Sequence, residues 1–166
     1  MSVHYTDHSV PYGPFETSPG YCHIVLHTKP GAQVLMSDKR VRGKTNRTGR
    51  ELVAHEKDVA WSPVPSHPGA CHKVLINEAS GVPVELLELP AGIEFWTGPS
   101  TYGRYELVLE GLAAVKGDET IQRHGLRFVI GDEPPRPLVA GPLGAHVLLC
   151  TFDKDAERTY IKEFAA

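Results

Sequence analysis

The sequence predicts an all-β protein, and three observations carry that reading. Its 14 prolines and 16 glycines are spread along 166 residues, which suits many short elements joined by tight turns better than helices. The stretch Gly92–Gly111 reads as a strand, a turn broken at Gly98-Pro99, and a second strand ending in Val108-Leu109-Glu110-Gly111. A strand-like segment also occurs twice. Pro19-Gly20-Tyr21-Cys22-His23-Ile24-Val25-Leu26 and Pro68-Gly69-Ala70-Cys71-His72-Lys73-Val74-Leu75 differ only at 21/70 and 24/73, the mark of a duplicated β-unit.

Composition sets the outer bounds. At 41% hydrophobic and 22% charged residues, the chain suits one folded domain with a real core. A net charge of -3 argues against nucleic acid as the partner. No apolar run reaches the roughly 18 residues of a membrane span, and the first residues lack the basic and apolar regions of a signal peptide. Cys22, Cys71 and Cys150 are odd in number and widely spaced, which argues against a disulfide framework and for reduced thiols in a cytoplasmic protein.

In chain order, residues 1–20 carry Pro11, Gly13, Pro14, Pro19 and Gly20 and are expected as an N-terminal arm. Residues 21–57 form the extra β-unit, with a strand at Tyr21–His27. Lys39, Arg40, Arg42, Lys44, Arg47 and Arg50, interrupted by Gly43, Asn46 and Gly49, read as a solvated basic loop. Residues 58–152 hold the main run of strand-like segments, the stretch to which the family resemblance given below assigns a barrel. Its later strands are expected at Ala113–Lys116, Thr120–His124, Leu126–Ile130, Arg136–Ala140 and Ala145–Phe152, with turns at Gly117-Asp118 and Gly141–Gly144. Residues 153–166 form a C-terminal tail or short helix, with Asp153 as N-cap and Ala156, Tyr160 and Phe164 on one side. Cys22, His23, Cys71 and His72 have the composition of a Cys2His2 zinc site, but neighbours on a strand point to opposite faces, which favours packing.

Residues Gly92 to Gly111 resemble the first motif of the cupins, G-x5-H-x-H-x3-E-x6-G. Both glycines are in register, while Gly98, Ser100 and Arg104 stand at the ligand positions. The second motif, G-x5-P-x-G-x2-H, lies on Gly125 to Arg136, with Gly131, Glu133 and Arg136 at its marked positions. Asp58-Val59-Ala60-Trp61-Ser62-Pro63 and Leu86-Leu87-Glu88-Leu89-Pro90-Ala91-Gly92 are similar to one cupin branch, that of ChrR-type anti-sigma factors and enzymes related to dihydroxyacetophenone dioxygenase. The resemblance implies a jelly-roll barrel, a homodimer, and a site without the usual metal ligands, hence no metal cofactor. Two arginines stand where the metal would be held.

Alternation puts Arg104, Glu106 and Val108 on one face of their strand, and the cupin frame turns that face inward. Ser100 and Arg136 are expected in the same cavity, Trp96 at its mouth, and His146 from the last strand. Buried guanidinium groups need partners. Glu106 supplies one in a structural ion pair, or the cavity binds a small organic anion. The second case gives a metal-independent binding protein in which His146 or Glu106 moves a proton, as an isomerase, cyclase or lyase does. The alternatives are a sensor or binding module without catalysis, and a metal-dependent dioxygenase with unusual ligands such as His23, His72 and His146.

Overall fold

In the computed structural model the described residues are 1–6, 19, 24–26, 50–100, 103–117, 120–131 and 133–152. Most of the basic loop, the C-terminal segment, and Cys22 and His23 lie outside them. The chain divides into two units, Val3–Val53 on the one hand and Met1–Ser2 with Ala54–Ala166 on the other.

In the smaller unit, residues expected as an arm form a strand. β1 (Ser2–Thr6) pairs with β2 (Glu51–His55) as a two-stranded sheet. His4 bonds Glu51 at 2.9 Å and Arg50 lies 5.7 Å from the centroid of the Tyr5 ring. Of the strand expected at Tyr21–His27, Ile24, Val25 and Leu26 are described and carry no strand pairing.

The larger unit is an antiparallel β structure built around two long strands, β7 (Gly103–Val115) and β10 (Leu138–Phe152). Around them stand β3 (Ser62–Pro63), β4 (Cys71–Ile76), β5 (Val84–Leu89), β6 (Glu94–Phe95), β8 (Thr120–Ile121) and β9 (Leu126–Ile130). The sheet order is β3-β4-β5-β10-β7-β8, with β6 paired to β10 and β9 to β7. β4 is the second copy of the repeated segment.

Two strand breaks expected from sequence are bends instead. β10 runs straight through Gly141–Gly144, and β7 passes Gly111 without ending. Their ladder shifts register between Ala140 and Ala145 and again between His146 and Val147. Before the first shift β10 shares its other edge with β6; after it, with β5. β7 likewise pairs with β9 through its first half and with β8 through its second. Each long strand thereby has different neighbours along its two halves, as a strand that turns a jelly-roll corner does. Glycine is required at the bend: Gly111 has φ +70°, and a β-carbon there would run into the carbonyl of Gly144.

Cross-strand pairs place their side chains on a common face, so the registers sort the interior. Leu87, Leu89, Phe95, Val108, Ala113, Val115, Leu138, Ala140, Ala145, Val147 and Leu149 form one buried apolar cluster with Ala70. That inward face changes character along the strands. Past Val108 on β7 it carries Glu106 and Arg104, and past Leu149 on β10 it carries Thr151. Glu85 and His72 belong to it through the pairs Glu85↔Leu149 and His72↔Leu87, and Arg127 through Glu106↔Arg127. One end of the barrel is therefore filled with hydrocarbon and the other is polar.

Candidate functional site at the polar end of the barrel

Arg104 and Glu106 are two apart on β7 and so share the inward face, where Arg104 is 4% exposed and Glu106 0%. Arg104 donates through Nε to Glu106 Oε1 at 3.2 Å, through Nη1 to the carbonyl of Gly98 at 2.7 Å, and through Nη2 to Thr97 Oγ1 at 2.6 Å. Residues 98 and 104 of the motif frame are thus bonded to each other. The loop Trp96–Ser100 between β6 and β7 is folded onto the guanidinium it would otherwise leave bare.

A second arginine reaches the same carboxylate, and it is Arg127. Its Nη1 donates to Glu106 Oε2 at 3.2 Å and its Nη2 to Glu133 Oε1 at 3.0 Å. The backbone N–H of Ile130 donates to Glu133 Oε2 at 3.4 Å, and the Glu133 N–H to the Ile130 carbonyl at 3.1 Å, a turn that fixes Glu133 behind Arg127. Two guanidinium and two carboxylate groups alternate, so the network is electrically balanced. Of the two readings of Arg104, the internal ion pair with Glu106 is the contact the structure displays.

Ser100, in the loop that holds Arg104, is the exception. Its Oγ is the one buried side-chain polar atom without a hydrogen-bond partner among the described residues. Burying a hydroxyl unpaired costs about 1–3 kcal/mol. Arg104 also has N–H groups beyond the three bonds above, since a guanidinium carries five donors.

Across the same face, His72 Nδ1 and Glu85 Oε2 lie 2.9 Å apart, both side chains partly buried. Cys71 and His72 do point to opposite faces, as neighbours on a strand must: Cys71 pairs with Glu88 and His72 with Leu87.

Of the other expected site residues, Arg136 and His146 lie elsewhere, while Trp96 opens the loop that covers Arg104. Arg136 is exposed and precedes β10, and Arg127 rather than Arg136 meets Glu106. Trp96 is 51% exposed. His146 is on the opposite face of β10 from Leu149 and hence from Glu106, so no proton relay between His146 and Glu106 is assembled. It stands among Glu88 at 3.9 Å, Glu110 at 3.6 Å and the Trp61 ring at 6.0 Å. His72 and His146, on opposite faces, cannot share a metal ion. That outer face has its own buried charge, Lys73, with Nζ 3.2 Å from Glu56 Oε1 and 4.8 Å from the Trp61 ring centroid. Burial pushes the Glu56 carboxyl up, but Lys73 and the amino group of Met1 outweigh it and hold the carboxyl below its ordinary range.

A metal ion does not suit the polar end. Arginine is a permanent cation with no lone pair to give, and two guanidinium groups converge on the only carboxylate of the motif strand's inward face. Among the described residues, no three His, Cys, Asp or Glu side chains are grouped so as to hold a metal ion.

No family model and no curated protein matches the sequence. Solved structures do match. An RmlC-like cupin from Ralstonia eutropha aligns with 60% of this chain and 67% of its own at 17% identity, with a TM-score of 0.50. A proposed acetylacetone dioxygenase from Methylibium petroleiphilum aligns with 77% of this chain and 81% of its own at 14% identity, with a TM-score of 0.50. The fold is that of the cupins. A chain from the Rhodobacter sphaeroides complex of SigE with the anti-sigma ChrR also matches at 18% identity and a TM-score of 0.49; 58% of this chain aligns with 51% of that one, so the likeness spans about half its length. Identities this low show a shared cupin fold and nothing finer. Among the described residues no helix is long and apolar enough to cross a membrane.

Proposed function

We propose that the polar end of this cupin barrel binds a small organic anion without a metal ion. The observation that carries the reading is the buried hydroxyl of Ser100, unpartnered among the described residues, on the same loop as the Thr97 and Gly98 oxygens that fix the Arg104 guanidinium and leave it unused donors. Both are donors for a carboxylate or phosphate oxygen, and the planar guanidinium suits such a two-oxygen group. Arg127, 18% exposed, adds a donor that a ligand can reach from outside. Because the four charges of the network already balance, the arginines do not need a bound anion to compensate them.

The test is thermal unfolding of the wild type and of Ser100→Ala with a panel of small carboxylates and phosphates. A ligand at a hundred times its Kd raises stability by about 2.7 kcal/mol, or roughly 5–11 °C for a domain of this size. Ser100→Ala is expected to melt at or above the wild-type temperature when free, since an unpaired hydroxyl is removed, and to lose part of the ligand-dependent rise. A free variant that melts well below the wild type contradicts the reading, as does a panel in which nothing raises the melting temperature.

A further inference from the structure

We propose that His72 and Glu85 form a proton-transfer pair acting on an acid held at the polar end, with His72 as general base and Glu85 as its positioning residue. The inference rests on the binding reading above.

The placement comes from the registers. Glu85, Leu149 and Glu106 stand in one row across β5, β10 and β7 on the inward face. Two strand spacings put the Cα atoms of Glu85 and Glu106 about 10 Å apart, and side chains projecting into a closing barrel narrow that gap. His72 lies diagonally from Glu85 on β4. Leu87, Val147 and Leu149 lie between this pair and the arginine network, so the floor beneath a bound molecule is hydrocarbon.

The chemistry follows from the one bond His72 makes. Glu85 accepts from Nδ1–H at 2.9 Å, which fixes the tautomer and ring orientation and leaves the Nε2 lone pair available; among the described residues no hydrogen bond reaches Nε2. The His72 and Glu85 side chains are 23% and 32% exposed, so both lie at the wet end of the barrel. His146, the histidine expected for this role, faces away.

The substrate class is a small oxo acid with an acidic C–H next to its carbonyl. Nε2 takes that proton, the C–H electron pair becomes the new C=C bond, and the C=O π pair moves onto oxygen as an enolate. Guanidinium N–H groups and the Ser100 hydroxyl stabilise that oxygen in a site of low dielectric. The imidazolium then returns its proton to the same carbon, which exchanges that hydrogen with solvent and, at a stereogenic carbon, epimerises it. Nothing is oxidised and no group leaves.

Pyruvate, 2-oxobutanoate, 2-oxoglutarate and acetoacetate in deuterium oxide serve as probes, with loss of the α C–H signal followed by proton NMR and binding followed in parallel by thermal shift. The wild type is expected to accelerate exchange of at least one acid that raises its melting temperature. His72→Gln should lower that rate by about 10²–10⁴-fold while the acid still raises the melting temperature. Glu85→Gln keeps the size of the side chain but frees the ring. Its 15N spectrum should change from a single Nδ1–H tautomer to a mixture, and its exchange rate should fall at least about tenfold with KM little changed. Acids that raise the melting temperature without any accelerated exchange overturn the proton-transfer pair and leave binding standing, as does wild-type exchange by His72→Gln. If no acid raises the melting temperature, the binding reading falls and the pair falls with it.

Discussion

Replacing Glu106 with leucine should be among the most destabilising single changes in this barrel. Glu106 is fully buried and is the shared acceptor of Arg104 and Arg127, at 3.2 Å each. Glu106→Leu leaves a nearly buried guanidinium on β7 with only the neutral oxygens of Gly98 and Thr97. Removing one partner of a buried ion pair costs about 3–5 kcal/mol, because the other charge stays desolvated. Arg127 contributes less to that cost, since it is closer to solvent and keeps Glu133. Urea denaturation followed by circular dichroism should show the loss, with a fall in melting temperature of roughly 6–20 °C. The double variant Arg104→Met with Glu106→Leu removes both charges of the buried pair and should cost well under the sum of the two singles. Wild-type stability in Glu106→Leu would refute the reasoning, and so would additivity in the double variant.

Two further outcomes are expected. Gly111→Ala should destabilise by more than about 1–2 kcal/mol in the same denaturation assay, because the residue keeps φ +70° and its new methyl meets the Gly144 carbonyl. Cys150 is a buried thiol whose burial pushes its pKa from 9.0 up to about 12, so peptide mapping after iodoacetamide at pH 8 should find it unmodified in the folded protein. The sign of its pH effect follows from the raised value. The folded thiol keeps its proton while the unfolded one loses it above its ordinary pKa, so this contribution to stability is complete below about pH 9 and declines as pH rises from there towards 12. Cys150→Ser should lack that decline.

The parts of the site legible in the sequence are those that depend on local alternation. Arg104 and Glu106 point inward together because they are two residues apart on a regular strand, and β9 spans Leu126–Ile130 as its alternating pattern predicts. Alternation fails where the strand does. Arg136 sits in a proline-rich stretch before the ladder begins at Leu138, so its motif position does not bring it inside. The orientation of His146 depends on the neighbouring register shift, which no periodicity reveals. Arg127 is masked by its own strand: alternation turns the apolar Leu126, Phe128 and Ile130 inward, yet those three are exposed and the arginine among them is drawn inward by Glu106. The pairing of His72 with Glu85 has no local signal at all, because it arises from the register between β4 and β5.

The proposed anion site is tested most directly by titrating the 15N-labelled protein with the carboxylate or phosphate that most raises its melting temperature, and following backbone and arginine side-chain resonances. The account predicts that Ser100, Arg104, Arg127 and Thr151, at the polar end of the inward face, shift along one saturating curve, while Trp61 and His146 on the outer face stay still. A saturating shift centred on Trp61 and His146, with Ser100 and Arg104 unmoved, would contradict it.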